Sequence, residues 1–512
     1  MASTQQYGDA NQEHQHGSNI QQNPSTSLGW RHEKDRETDS RPNAPNPPQS
    51  STEQEFDPIE PLTWPRRQKW VITVIISCFT LIPPVSSTML APALTQMSAD
   101  LGIKEPVVSQ LTLTIFMLAY AIGPLLFGPL SETIGRSPVL LVANVFFLLW
   151  TLACGLSRTV PEMIAFRLLA GIGGSAPLAV GGGVIRKSDL WAAEERGQAV
   201  GIYSLAPLLG PVIGPLTGGW ITERTTWRWM FYSTSIAAGV AGVIGLVFLR
   251  ETYTPVLRRQ KQPRETVPSG GTSESLTKRL RLAFTRPLQF FITEPIILVV
   301  AIYMACVFGI LYIILSTFPK VWAEVYGESP GIGGLNYLSL GIGYVLGSQA
   351  NTHASDAIYR RLQKRKSLNN NDDNLEGEPE FRVPTMFVGS VLIPVGIFWY
   401  GWSVQARTHW IMPNIGSFIF SLGSVTCMQS MQAYVIDSYA RYAASGLAAA
   451  VLLRNIAAFG IPLFAPYMYD ALHYGWGNSV LGFAGVVIGI PSPFLFWKFG
   501  KKIRGRSRFA PQ

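Results

Sequence analysis

Charge is what this chain has least of: 14% of its 512 residues are Asp, Glu, Lys or Arg, while 47% are hydrophobic. A soluble domain carries roughly a quarter charged residues, so the shortfall excludes an ordinary globular protein and makes lipid the solvent for much of the chain. Cysteine is nearly as scarce. Cys78, Cys154, Cys306 and Cys427 all lie in apolar stretches, with neither a disulfide pattern nor metal-ligand spacing, and read as small buried apolar residues. Nothing matches GxxxxGK followed by Ser or Thr, which excludes an ATP-driven pump unless a partner chain brings the nucleotide site. No catalytic constellation is present, so the chain is not expected to be an enzyme, and neither a metal nor an organic cofactor is expected. The amino terminus lacks the basic start, apolar core and small-residue cleavage site of a signal peptide, so the first apolar span is expected to direct insertion itself. The net charge is +9, but the basic residues cluster in loops beside apolar spans. That fits anionic lipid at a cytoplasmic membrane face better than it fits nucleic acid.

Residues 1–64 are rich in Gln, Asn, Ser, Pro and charge and predict a disordered cytoplasmic tail, within which His14 and His16 read as solvated rather than metal-binding. Twelve segments then approach the roughly 20 apolar residues that cross a bilayer. They fall at 70–92, 107–130, 138–156, 161–185, 197–220, 229–249, 293–318, 331–352, 384–404, 409–435, 443–468 and 478–499. With the amino terminus inside, 29 Lys and Arg adjoin these spans on the cytoplasmic side, and six lie outside: Lys104, Arg158, Arg224, Arg228, Lys320 and Arg407. Four more are in the tail and two, Arg167 and Arg454, are within spans. This asymmetry predicts both termini in the cytoplasm. The long polar connection after the sixth span divides the chain into six-helix bundles at 65–250 and 293–499, with a cytoplasmic loop at 251–292 and a tail at 500–512. In that loop Leu276, Leu280, Phe284 and Leu288 recur every four residues among Lys278, Arg279, Arg281 and Arg286. The pattern suits a helix lying on the inner leaflet or a solvated linker helix.

Three stretches depart from plain hydrophobicity. Residues 201–220, GIYSLAPLLGPVIGPLTGGW, place Gly210, Gly214 and Gly218 every fourth residue, with Pro211 and Pro215 after two of them and Gly219 beyond. On a helix these glycines form one ridge where another helix can approach to backbone distance, and the prolines bend it. Residues 128–136, GPLSETIGR, follow the second span with Glu132 and Arg136 four apart; Asp356 and Arg360 repeat the interval after the eighth, with Thr352 and Tyr359 where the first copy has Gly128 and Gly135. Such an echo is expected of two halves related by an axis along the membrane normal. A carboxylate and a guanidinium there can pair with groups of the opposite half and close the inner mouth in one state. The plain alternative is a surface i,i+4 pair. Arg167, in RLLAGIGG, sits deep in an apolar span, where an unpaired cation costs several kcal/mol. It reads as a functional arginine or as a structural one bonded to carbonyls; Gly171-x-Gly173-x-x-Ala176 lacks the preceding strand of a dinucleotide site.

These stretches resemble motifs of the major facilitator superfamily. Residues 201–220 resemble the antiporter motif (motif C). Residues 128–136 resemble motif A, with Glu132 where Asp is usual and Ser137 where a basic residue often follows, and 167–174 resemble motif B. The resemblance covers roughly 60–510 and is strongest to fungal drug:proton antiporters with twelve spans, whose first half closes in a stretch like Leu249-Arg250-Glu251-Thr252-Tyr253. It implies an all-α membrane protein of two pseudo-symmetric six-helix bundles that exports its cargo against protons. Gly128, Glu132, Gly135 and Arg136 would then form a gate, Arg167 and Gly171 would couple protons, and the motif C glycines and prolines would mark an exporter. Residues 434–445, YVIDSYARYAAS, and then Arg454-Asn455, resemble the same group. Asp437 would pair with Arg441 or with motif A, and Asp356, Arg360, Asp437 and Arg454 are second-half candidates for gating or coupling, against a packing network.

One further absence bears on mechanism. No Asp or Glu lies at mid-membrane in the first six spans, and Glu294, Asp437 and Asp470 sit near helix ends. A proton carrier must come from these, or substrate-coupled chemistry at an arginine must replace it. For the cavity, Ser87, Tyr303, Tyr312, Gln429, Gln432 and Tyr434 offer sparse polar groups among aromatics, suited to a large apolar solute, although each also reads as a packing residue. The combined reading is a monomeric, proton-coupled exporter of amphipathic organic compounds, such as drugs, fungicides or a self-made metabolite, in the plasma membrane. Its partners are the solute, protons and lipid. An exporter of polyamines or other small cations would want carboxylates in the cavity, and a non-transporting sensor on the same scaffold would leave the motifs idle.

Overall fold

The computed structural model describes residue 61 and residues 64–186, 190–191, 196–261, 276–370, 377–439 and 442–507. Among these the backbone is helical nearly throughout, with no strand. The first half holds α1 (Arg66–Met89), α2 (Leu94–Asp100), α3 (Pro106–Ile134), α4 (Arg136–Leu156), α5 (Val160–Gly174), α6 (Ala176–Arg186), α7 (Arg196–Arg224) and α8 (Arg228–Phe248). The connection holds α9 (Thr254–Lys261) and α10 (Leu276–Thr293). The second half holds α11 (Pro295–Glu324), α12 (Pro330–Leu335), α13 (Tyr337–Asn370), α14 (Pro384–Gln405), α15 (Ile411–Ser438), α16 (Ala443–Gly460), α17 (Ala465–Gly489) and α18 (Pro491–Arg504). Proline opens α3, α11, α12, α14 and α18, where its missing N–H would have had no partner and its fixed φ already suits the helix.

Nine helical stretches among the described residues are long and apolar enough to cross a membrane. The last of them, residues 445–504, holds two crossings, because α17 breaks at His473 with a left-handed φ of 55°. Two more helices, α7 and α13, have the length but dilute their apolar residues, α7 with glycine and proline and α13 with a charged extension. Together they make the twelve crossings of an all-α membrane protein. Side chains such as Val142, Val243 and Leu246 point outward, Leu246 with 75% of its surface exposed. Apolar groups on the perimeter are what a lipid solvent selects.

Several ends differ from the expected ones. Helix α13 runs to Asn370 instead of stopping near 352, and α18 continues to Arg504, so the expected tail at 500–512 begins as helix. Both extensions are polar. Hydropathy therefore loses the helix where it leaves the apolar zone, although the backbone hydrogen bonds carry on. The amphipathic stretch in the connection is helical, as α10, and packs against both α3 and α16. Phe284 and Leu288 remain 36% and 55% exposed, whereas Phe290 is buried edge-on against Tyr439 at 6.3 Å. The amino-terminal tail, with His14 and His16, lies outside the described residues, as does Arg441.

Candidate functional site

The glycine ridge of α7 lies against α1. A Cβ added at Gly210 would collide with Pro84, at Gly214 with the Val85 carbonyl and Thr88, and at Gly218 with the Met89 carbonyl. Thr88 Oγ1 donates to the Pro84 carbonyl at 3.1 Å and reaches the Gly210 carbonyl at 3.4 Å across the gap. Pro83 and Pro84 interrupt the hydrogen-bond ladder of α1 where it meets the glycines of α7, which carries Pro211 and Pro215, so the two helices fit one another along a face on which α7 has no side chains. The other face of α7 meets the second half. Gly219 abuts Pro330, the Pro215 carbonyl lies 3.1 Å from where a Gly334 side chain would start, and Val212 packs on Gly341 of α13. Beyond them Glu223 accepts hydrogen bonds from Ser329 Oγ at 3.0 Å and from the Gly331 N–H at 2.8 Å. The halves therefore meet at the end of the bundle that carries the 225–227 and 325–329 loops.

The 128–136 stretch is a helix break. Gly135 ends α3 with φ 120° and Arg136 opens α4, so Glu132 and Arg136 stand on different helices and form no i,i+4 pair. The carboxylate that serves this turn is Glu251. It accepts the backbone N–H groups of Arg136 at 2.9 Å, Ser137 at 3.1 Å, Thr252 at 3.1 Å and Tyr253 at 2.9 Å. A carboxylate there satisfies the orphan donors at the start of α4 and sits at the positive end of its dipole. Arg136 is buried, donates to Ser131 Oγ at 2.9 Å and stacks 5.0 Å from the Tyr253 ring centre. Glu132 has no hydrogen bond or ion pair among the described residues. Gly128 faces open space, so unlike Gly135 it is not required for close packing. The latch across the two halves expected of Glu132 and Arg136 is thus, in this conformation, a turn held inside the first half.

Arg167 is only 1% exposed and has no carboxylate beside it among the described residues. Its guanidinium donates to four carbonyls, Ser86 at 3.0 Å and Ser87 at 3.1 Å in α1 and Thr112 at 3.2 Å and Leu113 at 3.1 Å in α3, over the faces of Phe116 and Phe231. The α1 carbonyls belong to its last turn, which the break at residues 90–93 leaves without helical donors. Gly171, one turn further along α5, has the Phe116 carbonyl where its side chain would be. Arg167 therefore joins three helices of the first half through their backbones. Arg454 in α16 is different: it is half-buried, lies 4.3 Å above the Phe308 ring centre, and donates Nε to Asn455 at 3.3 Å. Asn455 in turn donates to the Tyr120 carbonyl of α3 at 3.3 Å, across the two halves.

Of the six expected cavity residues, two come together. Ser87 Oγ lies 3.4 Å from Tyr312 Oη, which also donates to Met117 Sδ at 3.0 Å, so Tyr312 bridges the halves where α1, α3 and α11 converge. The other four are placed otherwise. Tyr303 is bonded to Cys427 Sγ at 3.1 Å inside the second bundle. Gln429 donates to Ser348 at 2.6 Å and accepts from Asn351 at 3.1 Å, tying α15 to α13. Tyr434 is buried 5.1 Å from the Phe496 ring, and Gln432 is half-buried with no hydrogen bond among the described residues. A helix buried on most sides presents polar groups both to the central seam and to its own bundle, and periodicity alone does not tell the two apart.

Over residues 76–462 the sequence matches the family profile described as Major Facilitator Superfamily. The chain belongs to this superfamily. Among curated proteins it is similar to efflux pump vrtL of Penicillium aethiopicum, 50% identical over 89% of this chain and 90% of that one. It is also similar to efflux pump radE of Floropilus chiversii, 37% identical over 88% and 84%. Among solved structures the fold is similar to a bacterial homolog of the human lysosomal transporter Spinster, with TM-score 0.62 and 15% identity over 88% of this chain and 100% of that one. A D-xylose–proton symporter gives TM-score 0.63 and 16% identity over 86% and 99%.

The two halves of this superfamily member repeat the 128–136 turn through Arg382, which has no part in the pairs expected from spacing. Asp356 does not pair with Arg360, which is exposed; it accepts from Arg382 at 2.8 Å, and Arg382 also holds Asp437 at 3.2 Å and lies 4.6 Å from the Tyr359 ring centre. Arg136 opens α4 and Arg382 ends a 3-10 turn two residues ahead of α14, each two residues before a proline and each over a tyrosine. The shared Arg-x-Pro, Arg136 to Pro138 and Arg382 to Pro384, was the available signal. Around it Lys366 and Lys501 bind Glu378 at 2.9 and 3.0 Å, and Arg504 binds Glu380 at 2.8 Å. Burial works to raise the Glu378 carboxyl, but the two lysines outweigh it and hold it below its usual value. A carboxyl held low when folded contributes stability above its unfolded value of about 4.3, and that contribution is lost as pH falls through the folded value. The unfolding temperature of the purified protein is therefore expected to fall on acidification from about pH 5 to 3, and less steeply in Glu378→Gln. An identical acid profile in the variant would contradict this.

Proposed function

We propose that this protein exports amphipathic organic compounds, drugs or a fungal secondary metabolite, in exchange for protons. The observation that carries the reading is the glycine ridge of α7, which lets α7 shift against α1 within the first half while its other face docks on α12 and α13 of the second half. Helices in backbone contact with no interlocking side chains can change their crossing at small cost, as alternating access requires. The related proteins named as efflux pumps support the outward direction. The excess of Lys and Arg on one side supports cytoplasmic termini, which would place the contacts of α7 with α12 and α13 toward the outer end. The aromatic cluster around Tyr312, with Phe308 and with Phe116 stacked on Tyr120, supports an apolar cargo, and the plasma membrane is the location where such export protects a cell.

The test is accumulation of a panel of apolar fluorescent compounds in cells with and without the protein, before and after a protonophore. Expression is expected to lower accumulation of at least one compound, and the protonophore to restore it with ATP still plentiful. Continued export after collapse of the gradient would overturn proton coupling, and unchanged accumulation of every compound would overturn export.

A further inference from the structure

Arg454 is a cation that no described residue neutralises. Among the described residues no carboxylate pairs with it, and its hydrogen bond to Asn455 engages one of its five N–H donors. Arg167 shows how the same chain meets the cost of a membrane-embedded guanidinium when the role is structural: four carbonyls close around it and it is sealed from solvent. Arg454 has no such cage and stays half-buried. Its surroundings are drawn from both halves: Phe308 of α11 lies under its plane at 4.3 Å and against Tyr312 at 5.4 Å, and the neighbouring Asn455 reaches the Tyr120 carbonyl of α3. Tyr312 is occupied by Ser87 and Met117, so it leaves the guanidinium without a further partner among the described residues. A guanidinium with free donors inside a membrane helix is costly in the empty state, and that cost falls when an acceptor of negative charge enters.

We propose that Arg454 over the Phe308 ring forms an acid-recognition point in the translocation path, so that the preferred cargo is an aromatic compound with one acidic group, bound as its anion. The proposal rests on the export reading and narrows it. Phe308 and Tyr312, with ring centres 5.4 Å apart, offer the apolar wall for the aromatic body, and Arg454 fixes the acidic end. A cationic cargo is disfavoured there, because the site already holds an uncompensated positive charge. Exchange of such an anion for an inward proton carries positive charge inward, the direction an inside-negative membrane favours.

The experiment titrates the purified full chain in nanodiscs with 1-pyrenebutyrate and with its neutral methyl ester, which share the aromatic body and differ in charge. The acid is expected to bind at least about tenfold more tightly than the ester, the ratio a charge-assisted hydrogen bond supplies. Arg454→Gln is expected to bring acid and ester to equal affinity, and a thermal unfolding profile like that of the unaltered protein shows that the variant is folded. Arg454→Lys should keep part of the preference. Equal binding of acid and ester by the unaltered protein, or a preference that survives Arg454→Gln, would overturn the proposal. In proteoliposomes with an imposed proton gradient the two readings separate. Export of the ester without preference for the acid sinks acid recognition and leaves export standing, while selective binding of the acid without transport of either probe sinks export.

Discussion

Gly214→Leu is expected to stop transport while Gly128→Ala leaves it intact. At Gly214 the first side-chain atom already meets the Val85 carbonyl and Thr88, and the rest of a leucine has only the α1 backbone ahead of it. Overpacking against flexible side chains costs about 1–3 kcal/mol, and a neighbour that is backbone cannot turn aside. The strain falls on whichever conformation keeps α7 close to α1, and a bias of that size shifts a two-state equilibrium about 5- to 150-fold. Export measured in proteoliposomes should fall at least about tenfold, with protein still present in the membrane fraction. Gly128 belongs to the motif A resemblance, but a Cβ there meets nothing within 4 Å, so alanine is expected to be neutral or slightly favourable in the helix. Normal export by Gly214→Leu would show that the seam has no working role.

The second large effect concerns Arg167. Its four acceptors are spread over two helices and need a planar fork; a lysine ammonium has three donors at one point and cannot reach all of them. The Ser86 and Ser87 carbonyls, at the end of α1, have no helical donor, and each one left without a partner costs about 1–3 kcal/mol, so Arg167→Lys and Arg167→Met should both lower the unfolding temperature markedly and abolish export. The resemblance to motif B instead implies a proton-coupling residue. Such a residue, acting only through its charge, would let a lysine take its place with stability unchanged. Export by Arg167→Lys at near-normal rate would therefore overturn the carbonyl-cage account.

Much of the architecture was legible because bilayer physics writes it into composition. A crossing helix must satisfy its own backbone groups and show lipid an apolar surface over about 20 residues, so the twelve crossings and the polar connection could be read from hydropathy. The glycine seam was equally readable, since only glycine every fourth position lets two backbones touch. Pairings of charge were not. Glu132 with Arg136 and Asp356 with Arg360 are four apart in sequence, yet a positive φ at Gly135 separates the first pair, and Arg382, far along the chain, takes Asp356 and Asp437.

The residues by themselves determined which segments enter lipid, where two helices come to backbone distance, and that the membrane interior carries two arginines without mid-membrane carboxylates. Those properties are local, set by a residue's own side chain and its spacing along one helix. Only the tertiary structure decided which arginine is sealed and which is open, and which of Ser87, Tyr303, Tyr312, Gln429, Gln432 and Tyr434 reach the seam between the halves. A helix fixes the direction of a side chain about its own axis; what stands opposite is fixed by the rotation and tilt of every helix around it.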